Sequence, residues 1–84
     1  MSFILDIMTA IHYFPLMKLR NKLKIARVVN GDLTQEQLAS EVGCSRQTIN
    51  SIEKERFVPS VELVLRITQR LGVRVEEVFF LEED

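Results

Sequence analysis

The sequence predicts a small helical domain of the all-α class, and three observations lead to this prediction. The 84 residues include only two prolines and three glycines, so few positions interrupt a helix. Apolar residues recur at spacings of three and four along most of the chain. Serine, threonine and glycine stand where helices would begin and end. We expect one domain in residues 17–84, preceded by an apolar extension in residues 1–16.

The extension has a helical repeat of its own. The apolar residues on one side of this repeat are Phe3, Ile4, Ile7, Met8 and Ile11. We predict an N-terminal amphipathic helix that Ser2 caps and Pro15 ends. The segment lacks the basic start and cleavage motif of a signal peptide, and it is shorter than the roughly 20 apolar residues of a membrane span. We therefore expect a soluble protein with no membrane partner. An alternative is that translation starts at Met17.

The first helix of the domain is predicted over residues 18–30, where Leu19, Leu23 and Ala26 share one side. In an alternative interpretation, residues 16–19 are extended and the helix starts near Asn21. The sequence Asn-Gly-Asp at residues 30–32 predicts a turn after this helix.

Two short helices joined by the sequence EVGCSR follow. Residues 34–37, Thr-Gln-Glu-Gln, form a capping box, which predicts a helix over Gln35–Val42 that ends at Gly43. Ser45 caps a second helix over residues 46–54, with Ile49 and Ile52 directed inward. A short glycine-containing turn between two such helices is typical of a helix-turn-helix unit.

The sequence of the last third of the domain predicts two more helices. Ser60 caps a helix over Val61–Leu71, which Gly72 ends, and a short helix covers residues 75–79. The chain then closes with an apolar patch and three acidic residues. The domain therefore has five predicted helices.

The second helix of the helix-turn-helix unit has a polar outer face. Its residues are Arg46, Gln47, Asn50 and Ser51, with Lys54 one turn further on. Arginine can form two hydrogen bonds with guanine, and glutamine and asparagine can form two with adenine. Such a face suits a helix that enters the major groove of DNA. The simpler interpretation is a solvated helix face without a ligand.

Residues 33–73, LTQEQLASEVGCSRQTINSIEKERFVPSVELVLRITQRLGV, resemble the Cro/cI-type, or XRE, helix-turn-helix regulators of prokaryotes. The resemblance extends over about residues 21–79 and implies a five-helix, lambda-repressor-like domain. In the short single-domain branch of this family, the segments that flank the five helices can pair as a small β-sheet. Residues 16–19 and 79–82 are the candidates here. The apolar extension and a first loop one residue longer than usual depart from the family pattern.

The resemblance also implies roles for individual residues. Four lie where the family reads base edges: Arg46, Gln47, Asn50 and Ser51. Five lie where it contacts phosphates: Thr34, Gln35, Ser45, Lys54 and Arg56. An interhelical ion pair is expected between Arg27 and Glu53. The apolar excess near the end of the chain indicates a homodimer surface: Leu63, Phe79, Phe80 and Leu81.

The distribution of charge supports double-stranded DNA as the partner, although the formal net charge is −1. Residues 17–56 carry eight basic and five acidic side chains, whereas residues 57–84 carry three and six. The DNA-facing half is therefore basic, and the local field matters more for binding than the total. We expect a nucleoid-associated cytoplasmic regulator, most simply a repressor. The alternatives are an antitoxin that binds its operator and a toxin, or a protein-interaction module that has lost DNA binding.

The chain lacks the residues that other classes of function need. With one histidine, His12, and one cysteine, Cys44, the chain has no nucleophile–base set and no zinc ligand cluster. We therefore expect no enzyme activity, metal or cofactor. Cys44 is most simply a small turn residue. A redox-sensing role is the alternative, because Arg46 and a nearby helix N-terminus could lower the pKa of its thiol.

Overall fold

The computed structural model describes residues 16–83, in which helices predominate and a small sheet joins the two ends. The elements in chain order are β1 (Met17–Asn21), α1 (Leu23–Val29), α2 (Gln35–Val42), α3 (Arg46–Glu53), α4 (Val61–Leu71), α5 (Val75–Val78) and β2 (Phe79–Glu83). The amphipathic helix predicted for the apolar extension lies outside the described residues.

The strands β1 and β2 form an antiparallel ribbon, with Leu19 opposite Leu81 and Lys18 opposite Glu82. The prediction of a mostly helical domain with a small β pairing of its two ends is thus confirmed. The helix predicted from residue 18 begins only at Leu23, because the backbone of residues 17–21 pairs with β2. For the same reason Phe79, predicted to end the last helix, begins β2.

Side-chain caps fix the starts of α2, α3 and α4, as the sequence predicts. The Thr34 hydroxyl accepts from the Gln37 amide at 3.0 Å, and the Gln37 side chain accepts from the Thr34 amide at 2.8 Å. Ser45 and Ser60 each accept from the amide three residues on, at 3.1 Å. Each cap satisfies a backbone donor that the helix leaves unpaired and stabilises the helix by about 1 kcal/mol.

The same three helices also end alike. In each, an amide two or three residues past the end of the helix donates to a carbonyl five residues earlier: Cys44 to Ala39 (3.0 Å), Arg56 to Ser51 (2.9 Å) and Val73 to Thr68 (3.0 Å). The closure places one residue in the left-handed region: Gly43 at φ 79°, Gly72 at φ 70° and Glu55 at φ 60°. Glycine normally fills this position, because a Cβ atom is strained there.

The core lies between the helices and the start of β2. Its buried apolar residues are Leu23, Leu33, Leu38, Ala39, Val42, Ile49, Ile52, Ile67, Leu71, Val78 and Phe79. Ile49 and Ile52 are fully buried, so the predicted inward face of α3 is confirmed. Within residues 16–83, no helix is long and apolar enough to cross a membrane.

Candidate nucleic-acid interface

The orientation of α3 is set by its buried face. Ile49 and Ile52 are inaccessible to solvent and lie in the core beside Ala39 of α2, which is only 2% exposed. A small side chain at this position lets two helices approach closely. The inward direction of the isoleucines leaves Arg46 and Gln47 on the opposite, exposed side of α3.

A buried ion pair attaches α3 to α1. Arg27 Nε lies 2.7 Å from Glu53 Oε2, and Arg27 Nη2 donates to Glu53 Oε1 at 3.1 Å. The two side chains are 10% and 6% exposed, and Arg27 Nη1 also donates to the Leu33 carbonyl at 2.6 Å. Two parallel bonds between a guanidinium and a carboxylate fix direction as well as distance. The pair therefore restrains rotation of α3 about its axis.

Gln35, at the start of α2, connects this ion pair to the face of α3. Its Nε2 donates to Glu53 Oε1 at 2.9 Å and to Asn50 Oδ1 at 3.1 Å. Sequence analysis assigned Gln35 to phosphate contact and missed this role, since only the crossing of α2 and α3 brings the three residues together. The carbonyl end of Asn50 is directed to Gln35 by this bond.

The structure divides the four candidate base-reading residues into two groups. Arg46 and Gln47 are exposed, whereas Asn50 and Ser51 are half-buried. Beside them lies an open cleft lined by Ser45, Gln47, Thr48, Ser51, Arg56 and Phe57. Phe57 is 47% exposed and was not a sequence-based candidate. Its signal in the sequence was an aromatic residue directly after Lys54-Glu55-Arg56.

The five candidate phosphate contacts also occupy different settings. Lys54 and Arg56 are exposed in the turn that follows α3. The hydroxyls of Thr34 and Ser45 already accept from backbone amides of their own helices. Ser45 also shares a hydrogen bond with the Thr48 hydroxyl at 2.8 Å. A phosphate could still meet the remaining amides at these helix N-termini, which carry a partial positive charge.

The environment of Cys44 bears on the alternative of a redox-sensing thiol. The side chain is half-buried in the turn between α2 and α3, and burial raises the pKa of the Cys44 thiol above its ordinary value. Desolvation disfavours the charged thiolate, which is the reactive form. The raised pKa therefore favours the simpler interpretation of Cys44 as a turn residue over the redox-sensing alternative. Among residues 16–83, no group of three or more His, Cys, Asp and Glu side chains is placed to hold a metal ion.

The four candidate dimer residues do not share one exposed surface. Phe79 is 6% exposed and belongs to the core of its own chain, so only a small part of it is left for a partner. Leu63 is half-buried against the same core. Phe80 and Leu81 instead line an apolar groove, where Leu81 is 56% exposed. The other residues lining this groove are Leu19, Pro59, Val61, Val64, Leu65, Val75 and Phe79.

Comparison with known proteins identifies the arrangement. A helix-turn-helix family model matches residues 16–78. An uncharacterized HTH-type transcriptional regulator of Methanocaldococcus jannaschii is 46% identical over 66 residues, which are 79% of this chain and 98% of that protein. The uncharacterized HTH-type transcriptional regulator YgzD of Bacillus subtilis is 42% identical over the same shares of the two chains. A third such regulator, of Methanothermobacter thermautotrophicus, is 51% identical over 53 residues, 62% of this chain and 77% of that protein.

Proposed function

The chain belongs to the XRE-type helix-turn-helix family of DNA-binding transcriptional regulators, and on this premise we propose that it is a sequence-specific repressor that binds double-stranded DNA as a homodimer. In this proposal α3 enters the major groove of each half of a pseudo-palindromic operator. The two half-sites are about 34 Å apart, one helical turn of DNA. Such a regulator acts at the nucleoid.

One observation carries the proposal, namely that α3 is fixed on its inner side and polar on its outer side. The buried isoleucines and the Arg27–Glu53 ion pair hold the helix, and Arg46 and Gln47 face solvent. An arginine or glutamine side chain that forms two hydrogen bonds with one base discriminates that base pair by about 1–3 kcal/mol when the side chain is held in place. Asn50 would read a base through its NH₂ group, because its carbonyl oxygen accepts from Gln35.

The charge distribution supports binding through phosphates. Residues 17–56 have a formal charge of +3, and residues 57–84 have −3. The exposed Lys54 and Arg56 lie directly beyond α3, where they can neutralise phosphates that flank the groove. Affinity should therefore fall steeply as salt concentration rises.

Two further features support a homodimer. One eight-residue helix reads only a few base pairs, so a second copy supplies the rest of the site. The groove beside β2 exposes apolar side chains of two different elements, α4 and β2: Val61 (76%), Leu65 (44%) and Leu81 (56%) line it. We assign this groove to a second copy of the chain.

Selection of bound duplexes from a random pool tests the proposal, with the wild-type chain, Gln47→Ala and a matched control, Gln69→Ala. Gln69 is exposed on α4, so its loss removes the same group outside the candidate interface. We expect the wild type and Gln69→Ala to enrich one pseudo-palindromic motif. Gln47→Ala should relax one position of each half-site, with a loss of about 1–3 kcal/mol in discrimination.

Two outcomes would contradict the proposal. Absence of any enriched motif at low salt would favour the protein-interaction alternative, in which Arg46→Ala also has no effect. Identical motifs with the wild type and Gln47→Ala would remove Gln47 from the base-reading set. The repressor role is tested separately by placing the enriched motif across a promoter of a reporter gene, where expression should fall when the protein is produced.

A further inference from the structure

The turn after α3 has a non-glycine residue, Glu55, in the left-handed position that glycine occupies after α2 and α4. The equivalent closures of α2 and α4 have Gly43 and Gly72 in the left-handed position, but α3 has Glu55 at φ 60°. A Cβ atom in this conformation is strained, and glycine would relieve the strain. The side chain of Glu55 is therefore expected to make an interaction that glycine cannot.

That interaction is with β1. Glu55 Oε2 accepts from Arg20 Nε at 2.8 Å, and the Glu55 side chain is only 20% exposed. Arg20 Nη1 also lies 3.5 Å from Glu82 Oε1 on β2. The carboxylate of the turn is thus attached to the middle of the β-ribbon, 35 residues away in the sequence.

The next residue of β1 makes a second attachment to the same turn. Asn21 Nδ2 donates to the Ile52 carbonyl at 2.8 Å, and the Glu55 amide donates to the same carbonyl at 2.9 Å. The other end of the Asn21 amide, Oδ1, accepts from the Leu23 amide at 3.1 Å. Asn21 is therefore held between the start of α1 and the end of α3. Together, Arg20 and Asn21 attach β1 to the turn after α3 at two points.

We propose that Arg20 and Glu55 are positioning residues for the phosphate contacts of Lys54 and Arg56. The two cations flank Glu55 in the sequence and are exposed. Fixing the left-handed turn fixes the direction in which both leave α3, so they meet phosphates without first losing the freedom of a mobile turn. This inference rests on the proposed DNA binding, and it requires neither Arg20 nor Glu55 to touch DNA.

The change in DNA affinity caused by Glu55→Gly distinguishes this proposal from two simpler roles of Glu55. The three roles predict tighter, unchanged or weaker binding. If Glu55 acts only through its charge, its removal reduces repulsion and tightens DNA binding. If the residue only closes the helix, glycine closes it with less strain and binding is unchanged. If Glu55 positions the cations, binding weakens although a negative charge is lost.

Affinity for the duplex enriched by the wild type is measured with the full-length chain across a series of salt concentrations. We expect Glu55→Gly to weaken binding about five- to tenfold, the equivalent of one ordinary hydrogen bond. The slope of log affinity against log salt should decrease by about one. Arg20→Gln should have a similar effect, and the double variant should be no weaker than the single ones. Arg74→Gln is the matched control, since it removes an exposed arginine that also has carboxylate neighbours.

Amide hydrogen exchange gives a readout that needs no DNA. In Arg20→Gln the Arg56 amide, which donates to Ser51, should lose protection. The equivalent amides of Cys44 and Val73, in the closures of α2 and α4, should keep theirs and so exclude general destabilisation.

Two results would overturn the inference. The first is DNA binding by Glu55→Gly that equals or exceeds that of the wild type. The second is an Arg56 amide that exchanges equally slowly in Arg20→Gln and the wild type. If the wild type enriches no duplex, the proposed function fails, and the exchange measurement still decides whether β1 holds the turn.

Discussion

At the scale of single residues, Glu53 supports most of the candidate interface. Its carboxylate oxygens accept from Arg27 and Gln35, and through Gln35 the contact reaches Asn50. Within residues 16–83 every buried side-chain nitrogen and oxygen has a hydrogen-bond partner. Removing one member of such a network leaves the others unpaired in a site that excludes water, which costs more than the bond itself contributes.

We expect Glu53→Ala to lower the free energy of unfolding by about 3–5 kcal/mol, because it leaves the Arg27 guanidinium buried without its carboxylate. The double variant Arg27→Met with Glu53→Leu should lose much less, since apolar side chains replace both charges. Urea denaturation followed by circular dichroism measures both. A loss below about 1 kcal/mol in Glu53→Ala would mean that the pair behaves as a surface ion pair.

Cys44 offers a prediction about reactivity. Burial raises the pKa of its thiol, so the thiolate fraction at neutral pH is smaller than in a free cysteine. Alkylation by iodoacetamide at pH 7.5 should be slower than that of the same chain in urea, and it should accelerate only as the pH rises through the raised pKa. Mass spectrometry of quenched samples gives the rates. Faster alkylation in the folded state would restore the redox-sensing hypothesis.

At the scale of elements, three hydroxyl caps and three left-handed closures define α2, α3 and α4. These signals are local, because each cap or closure lies within a few residues of the helix end that it defines. The turn between α2 and α3 depends on one such signal, because Gly43 sets the direction in which the chain enters α3.

Substitution of Gly43 and of Gly72 distinguishes two causes of destabilisation, namely backbone strain and crowding of the added Cβ atom. Gly43→Ala and Gly72→Ala should each destabilise the fold by about 1–2 kcal/mol, the cost of a Cβ atom in the left-handed region. A Cβ at Gly72 meets nothing within 4 Å, whereas one at Gly43 lies 3.3 Å from Arg66 Nη1.

If Gly43→Ala lowers the free energy of unfolding more than Gly72→Ala does, the difference therefore measures the cost of displacing Arg66. We expect it to be small, since the end of a flexible side chain can move, and Arg66 gives up only a 3.4 Å bond to the Val42 carbonyl. Thermal denaturation of both variants gives the comparison. Stabilisation by either alanine would show that the left-handed conformation does not persist in solution.

At the scale of the whole molecule, the groove beside β2 is an apolar surface that the isolated chain leaves exposed. We expect the wild type to dimerise and Leu81→Glu to weaken the dimer at least tenfold, since a buried leucine is worth about 1.5–3 kcal/mol. Val28→Glu is the matched control, because Val28 is 47% exposed on α1 and does not line this groove. Sedimentation equilibrium measures both. A monomeric wild type, or equal weakening by the two variants, would remove the groove from the interface.

The predictions from sequence succeeded where the signal is periodic or local. Ile49 and Ile52 were assigned inward from their spacing, and Thr34, Ser45 and Ser60 were assigned as caps from their residue type; the structure agrees in all five cases. The same reasoning extended the first helix back to residue 18, because Leu19 fits a helical repeat as well as it fits a strand. Sequence could also not show that Gln35 is shared by Asn50 and Glu53.

The sequence by itself thus determined where α2 and α4 begin and end, where α3 begins, and which side of α3 is polar, because caps and helical periodicity act over a few residues. Only the tertiary structure decided between helix and strand for residues 17–21, and only it showed that Phe79 is buried and that Arg20 of β1 contacts the turn at Glu55. Each of these depends on a partner more than 30 residues away. No local preference specifies such a partner, since backbone pairing and burial arise only when distant segments meet.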